Sequence, residues 1–251
     1  MRKNDAMSYY LGDVRAALSL LSRLPLPQGQ HRGAAAAWAY PLAGTIIGGL
    51  AGLIGLVALW CGLPSPLAAL AALAAQIIVT GAMHEDGLAD SADGLWGGWT
   101  RARRLEIMKD SHIGAFGVIA LILSLLARWA ALWLLFQMDG GWAWAALVTA
   151  AAVSRASLPA VMHVLPHARD AGLSHSTGRP DVRICIGAAG LATLIALALV
   201  GWSVFGVLIW ALLATLAIMW IAKKKIGGQT GDILGATQQL VEIAVLLSIV
   251  V

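Results

Sequence analysis

Apolar stretches of a length that suits a bilayer recur from residue 39 to the C-terminus, and no polar stretch between them is long enough for a separate soluble domain. A helix needs about 20 apolar residues to cross the hydrocarbon core. Within lipid every backbone polar group must be paired internally, which leaves helices or closed barrels. Charged residues are 12% of the 251-residue chain and hydrophobic residues 59%, whereas a soluble domain carries about 25% charged residues. So few charges cannot coat a water-facing surface of this size, and the apolar excess must face lipid. The expectation is an all-α, polytopic membrane bundle of about six to seven transmembrane helices, forming one membrane-embedded domain over 1–251.

Along the chain, 7–24 mixes Tyr9, Tyr10, Leu11, Val14, Leu18 and Leu21 with Asp13, Arg15 and Arg23. That pattern predicts an interfacial amphipathic helix, stopped by Pro25 and Pro27, and not a cleavable signal. Spans are predicted at 39–60, 64–83, 113–136 and 142–165. The run 184–222 is too long for one span and is predicted to divide at Gly201-Trp202-Ser203. The last stretch, 237–251, is short and reads as a tilted or incomplete span. Polar segments cover 84–112, 166–183 and 223–236. Cys61 and Cys185 belong to no metal or redox spacing and read as small apolar residues.

Of the 17 Lys and Arg residues, fifteen fall in the N-terminal segment and these three polar segments, and none in the three opposite turns. By the positive-inside rule the N-terminus and all the polar segments share the cytoplasmic side. This distribution also accounts for the net charge of +4 without invoking nucleic acid.

The most informative stretch runs from His84 to Gly94. Asp86, Asp90 and Asp93 are spaced i, i+4, i+7, which places them on one helix face. Like charges so placed repel, and a divalent cation would offset that repulsion. Hard carboxylate oxygens suit Mg²⁺, which normally completes its shell with water and substrate phosphates. The pattern therefore points to chemistry on a phosphate or diphosphate. The alternative is a solvated acidic helix end beside the membrane.

Downstream, Arg101, Arg103, Arg104 and Lys109 are either phosphate clamps or ordinary membrane anchors. Arg155 lies within a predicted span, where an arginine costs roughly 2.5–3.5 kcal/mol on insertion scales. It needs an acidic partner or a bound phosphate. Arg128, also within a span, is expected to snorkel. The segment Lys223 to Asp232 has three glycines and a threonine that can offer backbone N–H groups to a phosphate, without Walker A spacing. His163, His167 and His175 form no ligand motif and read as interfacial polar residues.

Five ordered blocks resemble the cobalamin synthase family, that is, adenosylcobinamide-GDP ribazoletransferases. They are Leu21 to Pro25 with Pro27; His84 to Asp90 with Asp93-Gly94; Leu105 to Ser111 with Ile113-Gly114; Ser154-Arg155; and Gly227 to Asp232 with Leu234 to Ala236. The resemblance implies that adenosylcobinamide-GDP is joined to α-ribazole or its 5′-phosphate, with release of GMP and with Mg²⁺ as cofactor. It implies Asp86, Asp90 and Asp93 as metal ligands. His84 or Glu85 would take the proton from the attacking hydroxyl, unless His84 only begins the helix. Arg101, Lys109, Asp110, Arg155, Gln229 and Asp232 would bind substrate. Its setting would be the bacterial inner membrane, with corrinoid-GDP, α-ribazole and the lipid bilayer as partners and a homo-oligomer left open.

Two rival classes fit less well. CDP-alcohol phosphotransferases require Ala-Arg soon after the first Asp-Gly, whereas Asp90 follows Ala89 here. A cation-coupled transporter requires carboxylates near mid-bilayer and usually an inverted repeat, and neither is legible in this chain.

Overall fold

The computed structural model describes residues 3–26 and 32–251, with side chains from Tyr10 onward; Pro27 and the side chain of Tyr9 lie outside the description. Apart from one isolated bridge between His167 and Gln229, the described secondary structure is helical: α1 (Lys3–Leu21), a 3₁₀ segment (Gly33–Ala39), α2 (Tyr40–Trp60), α3 (Ser65–Thr80), α4 (Met83–Gly97), α5 (Arg101–Ile107), α6 (Ala115–Met138), α7 (Gly140–Val164), α8 (Leu173–Thr177), α9 (Val182–Val200), a 3₁₀ turn (Gly201–Ser203), α10 (Val204–Ile226) and α11 (Gly231–Val250). Five of these elements are long and apolar enough to cross a membrane, or six if the bent pair α3–α4 makes one span. The 45-residue element Val182–Ile226 is one of the five, and it turns back at Gly201, whose φ is 54°. Both of its ends reach the same end of α7. Pro180 O lies 2.9 Å from His163 Nδ1, and Arg101 ties Ile226 O and Ala168 O together. The predicted division of this run into a helical hairpin is what forms.

The centre of the bundle is α7, buried almost continuously from Ala143 to Met162. Gly44, Gly48 and Gly52 of α2 lie against it. A Cβ on Gly48 would sit 2.9 Å from the Ala151 Cβ, so α2 and α7 approach as closely as small residues allow, as helices packing in lipid do. Leu50, Leu53, Ile119, Leu123, Leu194, Ile209 and Leu213 point outward and supply the lipid-facing surface. One face of α1 packs on the bundle, with Leu18 and Leu21 against Tyr40, Ile47 and Met162. Asp13 on that face accepts from Arg32 and from Trp38 Nε1.

Two boundaries differ from expectation. The span expected over 64–83 ends at Thr80, because Gly81 and Ala82 both take left-handed conformations (φ 65° and 57°). The chain there bends by 86°, and α4 runs across the end of the bundle. The expected incomplete span over 237–251 is a helix of 20 residues beginning at Gly231. Thr230 caps it by accepting from Ile233 N, so its first turn comes from the polar segment and is invisible to hydropathy.

A candidate phosphoryl-transfer site at the polar end of the bundle

The polar segments meet at one end. Arg23 N donates to Val79 O, Ala168 N to Gln229 O and Gln229 N to Pro166 O. The turns at the other end also meet, with Ser65 Oγ 3.5 Å from Phe136 O. Across the polar end, α4 lies on α11 where Gly87 faces Gly235; a Cβ on Gly87 would be 3.1 Å from Gly235 Cα. The missing side chains let the two backbones touch. That contact brings Asp86 of α4 and Asp232 of α11 into one cavity of about 290 Å³, which His84, His167, Arg169 and Gln229 also line.

The three expected metal ligands differ in surroundings along α4. Asp86 is exposed, Asp90 half-buried and Asp93 buried. Asp90 feels the charges of Asp86, Asp232, Asp93 and Arg169. The Asp93 carboxylate accepts from Gly114 N at 2.7 Å and Gly117 N at 2.9 Å, so it caps the start of α6. Among the described residues no three His, Cys, Asp or Glu side chains converge closely enough to hold a metal by themselves. Mg²⁺ needs only one or two protein carboxylates when substrate phosphates and water supply the rest. Asp86 and Asp90, with Asp232 from α11, are a hard-oxygen set of that kind.

Several expected site residues are placed elsewhere. Glu85 points away from the cavity and accepts from Arg128 at 3.0 Å and from Gln239 at 3.1 Å; it is an ion-pair partner, not a free base. Arg155 is buried, 3.7 Å from Glu242, and donates to Ala151 O; its partner is acidic, and it does not line the cavity. Arg128 does not snorkel but bridges Glu85 and Glu242 in the interior. The two arginines balance the two buried carboxylates, Glu85 and Glu242, the latter also held by Gln76 and Gln238, so that no buried charge is left unpaired. Arg101 is occupied by Ile226 O and Ala168 O, where it caps the C-terminal end of α10. Asp110 is exposed and bonds His112 at 2.7 Å. That contact holds the Asp110 carboxyl below its usual range and raises His112. Lys109 is exposed and lines a second, open cavity beside α5. Cys61 is exposed in its turn instead of packed among apolar residues.

His84, Gln229 and Asp232 all line the cavity. His84 is buried and its Nε2 has no hydrogen-bond partner. The Gln229 amide accepts from Ser174 Oγ at 2.5 Å and its nitrogen lies 2.9 Å from His167 Nδ1. Asp232 pairs with Arg169 at 3.1 Å. Sequence reasoning missed Arg169, His167 and Ser174. They lie in 166–183, which was recognised as polar and basic but carries no motif. Burial, then His175 and Arg179 nearby, lowers the pKa of His167 below the usual histidine value.

The family model described as cobalamin-5-phosphate synthase matches residues 13–250. An adenosylcobinamide-GDP ribazoletransferase of Mesorhizobium japonicum is 46% identical, with 94% of this chain and 92% of that protein covered. One from Bradyrhizobium diazoefficiens is 45% identical over the same shares of the two chains. Another from Azorhizobium caulinodans is 44% identical over 97% of each chain. No solved structure matches. With a family match over nearly the whole length and relatives of this identity, the chain belongs to the cobalamin-5-phosphate synthase family.

Proposed function

We propose that this chain joins adenosylcobinamide-GDP to α-ribazole or its 5′-phosphate and releases GMP, in the bacterial inner membrane, with its N-terminus and cavity on the cytoplasmic side. The observation that carries this reading is the meeting of Asp86, Asp232 and Arg169 in one cavity at the basic end of the bundle. Like the relatives' names, it fits a reaction on a diphosphate. The ribose hydroxyl oxygen bonds to the phosphorus attached to the corrinoid arm. The bond from that phosphorus to the bridging diphosphate oxygen breaks, and GMP leaves with that oxygen. His84 is the candidate acceptor for the hydroxyl proton, since it lines the cavity and its buried Nε2 has no partner, and a base must reach the proton it takes.

Asp86 and Asp90, with Asp232, are the carboxylates that would hold Mg²⁺. The ion, when bound, would neutralise charge developing on the diphosphate oxygens. Asp93 supports α4 against α6 in this reading and stands outside the ligand set. Gln229 and His167 fix the loop that closes the cavity. The test is purified protein in detergent with adenosylcobinamide-GDP and α-ribazole, assayed for GMP with Mg²⁺ and with EDTA. GMP in the first case and none in the second is expected. GMP release unaffected by EDTA overturns the metal assignment, and no GMP under any condition overturns the function.

A further inference from the structure

We infer that Arg169 binds the diphosphate of the nucleotide-linked substrate, holding the phosphorus between the attacking and leaving oxygens. The inference rests on the proposed phosphoryl transfer and adds a residue that the sequence motifs do not contain. Among the described residues, Arg169 is the only Lys or Arg lining the cavity that contains Asp86 and Asp232. It also lines the open cavity beside α5, together with Lys109. Arg169 therefore stands in the wall between the two cavities, within reach of an anion entering from either.

Its present contacts leave capacity for an anion. One terminal nitrogen donates to Asp232 Oδ2 and the other to Leu105 O, both at 3.1 Å, while the buried Nε has no partner. Arginine has five N–H donors in a planar fork suited to phosphate oxygens. The Asp232 carboxylate is a second acceptor in the same place, also held by Thr230 Oγ1 at 3.2 Å. Binding of a diphosphate would let Arg169 exchange Asp232 for phosphate oxygens, which frees Asp232 for the metal. The guanidinium then stays paired: one carboxylate leaves it as a more highly charged anion arrives.

The test compares wild-type protein with Arg169→Ala and Arg169→Lys in detergent, by steady-state GMP release and by equilibrium dialysis of radiolabelled GMP with Mg²⁺. Loss of a charged, forked contact is expected to raise KM for adenosylcobinamide-GDP and to weaken GMP binding by about ten- to a hundredfold in Arg169→Ala. Arg169→Lys should fall between, since it keeps charge and loses the fork. KM for unphosphorylated α-ribazole should not change. If Arg169 were only a brace between Asp232 and Leu105, both substrates' kinetics would fall with melting temperature and the folded fraction would bind GMP normally; that result overturns the inference alone. A wild-type protein that neither turns over nor binds GMP overturns the function and the inference together.

Discussion

The Glu85 carboxylate meets the Arg128 guanidinium at 3.0 Å inside the bundle, one residue along α4 from Asp86, which lines the cavity. The two neighbours face opposite ways, one fastening α4 to α6 and one lining the cavity. Breaking a buried pair leaves an uncompensated charge and costs about 3–5 kcal/mol. Arg128→Met should therefore sharply lower melting temperature in detergent. Arg155→Met should also destabilise, and adding Glu242→Gln should recover most of the loss, because the Glu85–Arg128 pair then remains complete. A double variant no more stable than Arg155→Met would show that Arg155 and Glu242 are not coupled.

The aspartates of α4 should separate into two classes. Asp86→Asn and Asp90→Asn are expected to keep the wild-type melting temperature and slow GMP release at least about a hundredfold, the scale for losing an electrostatic contact to a transition state. Asp93→Ala removes the acceptor for Gly114 N and Gly117 N and should cost about 1–2 kcal/mol of stability, as lost caps do. Equal behaviour of all three in melting and GMP assays would argue against this division.

The α4–α11 crossing has room for hydrogen and little more. A Cβ on Gly87 would lie 3.0 Å from Asp232 O, whereas one on Gly190 in α9 meets nothing within 4 Å. Gly87→Ala should cost about 1–3 kcal/mol through overpacking and reduce GMP release by moving Asp86 away from Asp232. Gly190→Ala serves as the control and should be neutral or slightly stabilising. Thermal melts and GMP release on both variants test the crossing.

The pH response should report His167. Its pKa is lowered by burial, and Gln229 donates to its Nδ1, which requires that nitrogen unprotonated. A histidine depressed in the folded state contributes stability above its unfolded pKa, near 6.5, and loses it as pH falls through the lower folded value. Wild-type melting temperature should therefore drop on acidification below about pH 6.5 more steeply than that of His167→Gln. Parallel curves would remove His167 as the cause.

Sidedness can be read from a native thiol. Cys61 is exposed in the turn between α2 and α3, at the end of the bundle opposite the cavity. A membrane-impermeant maleimide should label it from the periplasmic face of spheroplasts, and a cysteine placed at Arg103 only after the membrane is opened. Labelling of position 103 in sealed spheroplasts would reverse the proposed orientation.

The helical bundle and the acidic face of α4 were legible in the sequence because each rests on local chemistry. Lipid demands runs of apolar residues, and a 3.6-residue repeat lines up Asp86, Asp90 and Asp93 whatever surrounds them. Three residues of the motif blocks, His84, Gln229 and Asp232, line the cavity. The sequence was silent on which charge meets which. Arg155 reads as a cation in need of a partner and Arg128 as one that snorkels, and both find Glu242, a residue from α11 that sits in an apolar run.

What a chain determines by itself is how each residue stands toward its own helix and toward lipid or water. The bend after Thr80, the capping of α6 by Asp93 and the placement of Arg169 between two cavities depend on groups far apart in sequence. Asp93 and Gly114 are 21 residues apart, and Arg169 and Asp232 are 63 apart. An ionised group buried among helices must be paired by whatever the fold brings near it. Only the packing of α4 across α11 decides that Asp86 faces the cavity while Glu85 faces the protein.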